Sequence, residues 1–123
     1  GDLVKVDYSS KTTITDGANN QIWFSSNQVD GFIKGTPAEL NKETQGYGMT
    51  MLHELRHTSI GGRLSDPQDK TDTESTGPVV DRVNIYRREL GRSYGQRGHY
   101  YATGTGSDKY VRFSYSDYSK GKF

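Results

Sequence analysis

The heptapeptide Met51-Leu52-His53-Glu54-Leu55-Arg56-His57 decides how the rest of the chain is interpreted. Positions four apart lie on the same face of a helix, so His53 and His57 can each direct a ring nitrogen at one point. Glu54 lies about 100° around the helix and stands beside that point. In the pattern His-Glu-x-x-His, the histidines bind zinc at roughly 2.0–2.1 Å and the glutamate accepts a proton from water. We therefore predict His53 and His57 as metal ligands and Glu54 as a catalytic base.

Glycine, proline and capping residues predict helices around this motif. Thr36-Pro37-Ala38-Glu39 contains the elements of a capping box and predicts the start of a short helix. A second helix over about 48–60 carries the motif and should end at Gly61-Gly62. Pro78 and Gly91 should bound a third helix, whose apolar residues recur at helical spacing.

Strands are predicted on both sides of the helices. Residues 3–14 are rich in β-branched side chains, and residues 21–26 read Gln-Ile-Trp-Phe-Ser-Ser. Residues 109–117 alternate between apolar and polar side chains, which is typical of a half-buried strand. The polar, acidic stretch 63–76 shows no periodicity and is predicted to be a loop.

Length and composition limit the classes of protein that fit. A chain of 123 residues fits one domain, residues 1–123. Only 30% of the residues are hydrophobic, so we expect the nine tyrosines to supply much of the core. Cysteine is absent, so a metal site must use His, Asp, Glu or Tyr. A net charge of +1 and no long apolar run favour neither nucleic acid nor a membrane as a partner.

A catalytic zinc normally takes a third protein ligand. Asp81 is the first choice, because it follows His57 by 24 residues on the predicted third helix. An aspartate near a helix start can also simply stabilise the helix dipole. Three other residues are alternative ligands: Asp66, Glu74 and His99. Tyr86 and His99 are the preferred donors to a developing oxyanion, with Tyr94 and Tyr100 as further candidates.

Five arginines fall within 16 residues, with Glu89 the only acid among them: Arg82, Arg87, Arg88, Arg92 and Arg97. Such a cluster can bind a phosphate or an acidic substrate, although it is more often the solvated face of a helix. It supports an alternative function, a catalytically inactive zincin-like module that grips an anionic partner. A metal-dependent nuclease is a further alternative.

Residues 51–57 resemble the active-site helix of the zincin metallopeptidases. The stretch 77–91, followed by Gln96-Arg97 and Tyr100, resembles small HExxH effector domains at the C-termini of bacterial Rhs-type polymorphic toxins and in type III secreted effector proteases. Related effectors often carry an acidic pair in the intervening segment, where this chain has scattered acids followed by Asp81.

This resemblance implies a compact zincin-like α+β domain, in which a small mixed or antiparallel sheet packs on the active-site helix and a second helix. It also implies Zn²⁺ as cofactor, an endopeptidase activity and a protein or peptide as substrate. A parent toxin or delivery protein, or a cognate immunity protein, would be a partner. The domain would be secreted or delivered into a target cell.

Overall fold

The structure is a computed structural model that describes residues 3–9, 12–68, 76–98 and 100, together with the backbone of residues 104–105, 111–112 and 115–116. Within these residues the chain forms three α-helices and a three-stranded mixed sheet, which confirms the α+β class. None of the helices in these ranges is long and apolar enough to cross a membrane.

The central strand of the mixed sheet is β3 (Gln21–Phe24). It pairs in parallel with β1 (Lys5–Tyr8) and antiparallel with β2 (Ile14–Asp16). Ile22 and Phe24 are buried on one face, whereas Trp23 points to the other face and is 37% exposed. The segment predicted as one strand over residues 3–14 therefore contains β1 and the start of a second strand.

Four shorter strands form two separate antiparallel pairs. β4 (Gln96–Arg97) pairs with β7 (Tyr115–Ser116), and β5 (Gly104–Thr105) pairs with β6 (Val111–Arg112). The strand predicted over residues 109–117 contains β6 and β7. Its predicted alternation of side chains lies outside the described residues.

Helix α1 (Ser26–Lys34) begins where the sequence analysis placed the end of a strand. The hydroxyl of Ser25 accepts a hydrogen bond from the backbone N–H of Gln28, so this serine acts as the N-cap. The prediction of a helix beginning at Thr36 is wrong. The Thr36 hydroxyl donates to the carbonyl of Phe32 in the last turn of α1, and the residues that follow form a turn. A 3-10 helix (Lys42–Gln45) leads into α2.

Helix α2 (Tyr47–Arg56) carries the HExxH motif and packs against α3 (Gly77–Leu90). Met49 of α2 and Val79 and Val83 of α3 form a buried cluster. The expectation of a tyrosine-rich core is wrong for the described residues, where the buried hydrophobic side chains are Ile22, Phe24, Val29, Met49, Val79, Val80 and Val83. Tyrosines line the edge of this cluster, and Tyr8 is 88% exposed.

Arg87 is one of the most buried side chains and is 2% exposed. Its Nε donates to the Thr44 carbonyl and hydroxyl, each at 3.0 Å, and its terminal nitrogens donate to Thr44, Gln45 and Asn84. The fork shape of the guanidinium suits this set of acceptors. Arg87 therefore joins α3 to the 3-10 helix that precedes α2, and it is not part of a surface patch.

We predict that Arg87→Met lowers the free energy of unfolding by about 3 kcal/mol, because several buried acceptors lose a charged donor. Arg87→Lys should recover only part of the loss, since an ammonium cannot copy the fork. Urea unfolding measures both. Arg82→Met, at an exposed position of the same helix, is the control and should change stability by no more than about 0.5 kcal/mol. Equal effects at positions 82 and 87 would contradict this role.

Candidate metal centre

The two histidines of the motif converge on one carboxylate, that of Asp66. The Nε2 atom of His53 lies 3.2 Å from Asp66 Oδ1, and the Nε2 atom of His57 lies 2.9 Å from Asp66 Oδ2. The three potential ligand atoms lie within 4.8 Å of one another. Two imidazole nitrogens and one carboxylate oxygen in this arrangement could hold a metal ion.

A reversal of the chain after α2 brings Asp66 to the histidines. Gly61 packs so closely on the end of α2 that a Cβ there would lie 2.2 Å from the Leu55 carbonyl oxygen. The chain then turns through positive φ angles at Gly62 (90°) and Arg63 (52°). The N–H of Leu64 donates to the Arg56 carbonyl at 2.8 Å, so the returning segment is bonded to the helix end. Asp66 follows two residues later.

The His57 ring is oriented by a backbone group. Its Nδ1 lies 2.8 Å from the Leu64 carbonyl oxygen, which can only accept a hydrogen bond. The Nδ1 atom therefore carries a proton, and Nε2 is the atom that faces Asp66. Histidines that bind metals are commonly held in this way, with the second ring nitrogen donating to a carbonyl or carboxylate.

The protonation of the site follows from its burial and charge. Burial opposes ionisation of Asp66, but the contacts with His53 and His57 outweigh it and hold the pKa of Asp66 well below its usual range. Burial alone would lower the pKa of His57, but the hydrogen bond and charge of Asp66, with the Leu64 carbonyl and Glu54, raise it above its usual value. The site thus attracts positive charge.

The donor atoms of this group could hold a metal ion. Asp66 Oδ1 is buried and makes no hydrogen bond among the described residues, because its contact with His53 is poorly aligned for one. A buried carboxylate oxygen without a hydrogen bond is costly, and coordination of a cation would satisfy it. His53, His57 and Asp66 would hold the metal.

Glu54, the base predicted from the sequence, is buried beside this centre. It is 7% exposed, and its charge raises the pKa of both His57 and Tyr100, so its carboxylate lies near the centre. Its Oε2 accepts a hydrogen bond of 2.7 Å from the hydroxyl of Thr15, on strand β2. The Glu54 carboxylate is therefore buried and linked to the sheet.

Tyr100 is the tyrosine that the structure places at this centre. Its ring stacks on His53 with centroids 5.9 Å apart. Burial, the charge of Asp66 and a hydrogen bond to Asp66 raise the pKa of Tyr100 well above its usual value, against the opposing charge of Arg97. The guanidinium of Arg97 lies 5.3 Å from the centre of the same ring and donates to the Tyr100 carbonyl. Tyr100 keeps its proton near neutral pH and can donate it in a hydrogen bond.

Asp81 and Tyr86, which the sequence also suggested, are not in this group. Asp81, the preferred third ligand, accepts a hydrogen bond from the hydroxyl of Thr76 at the start of its own helix, so its carboxylate is directed along α3. The hydroxyl of Tyr86 accepts a hydrogen bond from Arg56, whose guanidinium lies 5.6 Å from the ring centre. His99 and Glu74 lie outside the described residues.

Two features of the sequence favour Asp66 over Asp81 as the third ligand. Gly61-Gly62 indicates a tight reversal directly after the motif helix, and Asp66 follows His57 by only nine residues. A reversal returns the chain to the helix end it has just left, which favours an early acid over a distant one. No comparable signal marked Thr15, because its contact depends on the pairing of two strands.

Comparison with known proteins gives no relative from which a role could be transferred. No protein-family model, curated protein or solved structure matches the chain.

Proposed function

We propose that this chain is a zinc-dependent hydrolase that cleaves peptide bonds. The observation that carries the proposal is the convergence of His53, His57 and Asp66 within 4.8 Å. These three residues are the proposed zinc ligands, and the buried Glu54 is the proposed base. Two histidines, one carboxylate and an adjacent glutamate are a donor set that metal-assisted hydrolysis uses.

A zinc ion bound there would act as a Lewis acid that polarises a carbonyl and lowers the pKa of a water molecule. Glu54 takes the proton from the attacking water at its carboxylate and passes it to the nitrogen of the leaving amine. The Leu64 carbonyl keeps the His57 proton on Nδ1 and so leaves Nε2 to the metal. We propose Tyr100, in place of Tyr86 or His99, as the donor to the developing oxyanion.

A cavity gives a substrate access to this centre. It has a volume of about 470 Å³ and reaches His57 and Asp66, with Thr15, Gly17, Arg63 and Gln68 among its lining residues. In line with the sequence resemblance, we propose that a protein or peptide enters here, and that the domain acts as a bacterial effector or toxin module. A delivery or immunity protein remains the proposed partner.

Two of the five arginines behind the alternative of an anion-binding module are buried. Arg87 is 2% exposed and Arg97 is 8% exposed, so neither is available to grip a partner at the surface. The sequence analysis had counted both in one basic cluster. Both donate hydrogen bonds to other parts of the chain, and the anion-binding role of the remaining arginines stays a prediction.

We predict that the purified chain binds one zinc ion. Asp66→Asn should weaken zinc affinity by at least roughly 100-fold, because the loss of a direct ligand lowers metal affinity more than the loss of a group that only contacts a ligand. Asp81→Asn is the matched control and should bind zinc within about threefold of wild type. Competition with a chromogenic chelator measures both constants. The opposite ranking of the two variants would show that Asp81, and not Asp66, completes the site.

We predict that Glu54→Gln retains its zinc but loses roughly 10²–10⁴-fold in kcat, because the amide cannot accept the proton from water. The substrate is a random-sequence peptide library in which mass spectrometry detects the cleaved bonds, and kcat is then measured on one cleaved peptide. Metal analysis of the same samples confirms that zinc is retained. Undiminished cleavage by Glu54→Gln would exclude Glu54 as the base.

A further inference from the structure

A hydrogen bond from Thr15 links the mixed sheet to the motif helix. The Thr15 hydroxyl lies 2.7 Å from Glu54 Oε2 and 3.4 Å from the Glu54 carbonyl oxygen. The shorter contact is the stronger one, because a carboxylate is a better acceptor than a carbonyl that already accepts from the His57 N–H. The hydroxyl therefore donates to the side chain of Glu54.

Strand pairing explains why Thr15 faces the helix. β2 is an edge strand of the mixed sheet, and Thr15 pairs antiparallel with Ile22. Directly paired residues project to the same face of a sheet, and Ile22 is fully buried. Thr15 therefore points inward, whereas its neighbour Ile14 pairs with Trp23 and is 54% exposed. A shift of register by one residue would turn the hydroxyl away from Glu54.

The turn between β2 and β3 fixes this register against the end of the motif helix. Asn20 donates to the Ser59 hydroxyl at 2.7 Å and accepts from the Ser59 N–H at 2.9 Å. A Cβ on Gly17 would lie 2.3 Å from the His57 carbonyl oxygen, so only glycine allows so close an approach. The guanidinium of Arg63 donates to the Gly17 carbonyl. The strand cannot slide along the helix without breaking these contacts.

We infer that Thr15 is a positioning residue for the base, an inference that rests on the proposed function. Its hydroxyl holds Glu54 Oε2, which fixes the torsion of the carboxylate and leaves Oε1 to exchange protons with water and the leaving group. Correct orientation of a catalytic group accounts for much of the rate enhancement in enzymes, so loss of this bond should lower turnover and not substrate affinity. Thr15 itself exchanges no proton with the substrate.

The first test is a double-mutant cycle on the metal-free protein, with Thr15→Val and Glu54→Leu. Thr15→Val removes the hydroxyl at nearly constant shape, and it should lower the folding equilibrium constant roughly tenfold when Glu54 is present. In the Glu54→Leu background the same change should cost less than about twofold. Urea unfolding measures the four proteins. Equal losses in both backgrounds would show that the hydroxyl does not act on Glu54, which would overturn the inference.

The second test compares zinc-loaded wild type, Thr15→Val and Thr15→Ser on a peptide that wild type cleaves from the random-sequence library. Thr15→Val should lower kcat at least roughly tenfold, with KM and zinc content unchanged. Thr15→Ser keeps the hydroxyl, so its kcat should lie within about threefold of the wild-type value. Thr12→Val, at an exposed position three residues earlier, is the control and should match wild type. Serine also provides a variant that folds if valine does not.

The outcomes separate the two proposals. Cleavage by wild type with an unchanged kcat in Thr15→Val overturns the role of Thr15 and leaves the proposed function standing. A raised KM with an unchanged kcat also overturns it, because Thr15 would then contact substrate. If zinc-loaded wild type cleaves no peptide in the library, the proposed function is overturned. The positioning role is then overturned as well, whatever the double-mutant cycle on the metal-free protein shows.

Discussion

The contact of one carboxylate with two imidazoles is the interaction on which the rest of the centre depends. Asp66 lies within 3.2 Å of both Nε2 atoms, and each neighbouring feature orients one of the three groups. The Leu64 carbonyl fixes His57, and Tyr100 stacks on His53. Asp66 Oδ1 makes no hydrogen bond among the described residues, so the carboxylate is satisfied only in part. A metal ion would satisfy all three ligands together.

The protein supports this centre from two sides. On one side, the sheet reaches the motif helix through Thr15 and through the turn at Gly17 and Asn20. On the other, α3 packs on α2 through valines. The buried Arg87 ties α3 to the segment that enters the motif helix. Polar contacts thus support the centre alongside apolar packing, which suits a chain with few hydrophobic residues.

Sequence patterns predicted the features that depend only on residues close together in the chain. The motif identified His53, Glu54 and His57 because helical spacing alone brings them together, and Pro78 and Gly91 closely marked the limits of α3. Asp66 was ranked below Asp81 because sequence spacing does not show where a loop returns. Arg87 falls in a predicted surface cluster because charge is usually solvated, whereas the 3-10 helix and α3 itself supply it with buried acceptors. Contacts between distant segments were the part that local patterns did not reveal.

The most direct measurement of the central claim is a crystal structure of the zinc-loaded protein, with zinc located by its anomalous scattering. The account predicts one peak, bounded by Nε2 of His53, Nε2 of His57 and an oxygen of Asp66, at about 2.0–2.2 Å from each. The carbonyl of Leu64 should remain hydrogen-bonded to His57 Nδ1. A zinc ion bound through Asp81, or placed away from the two histidines, would contradict the account.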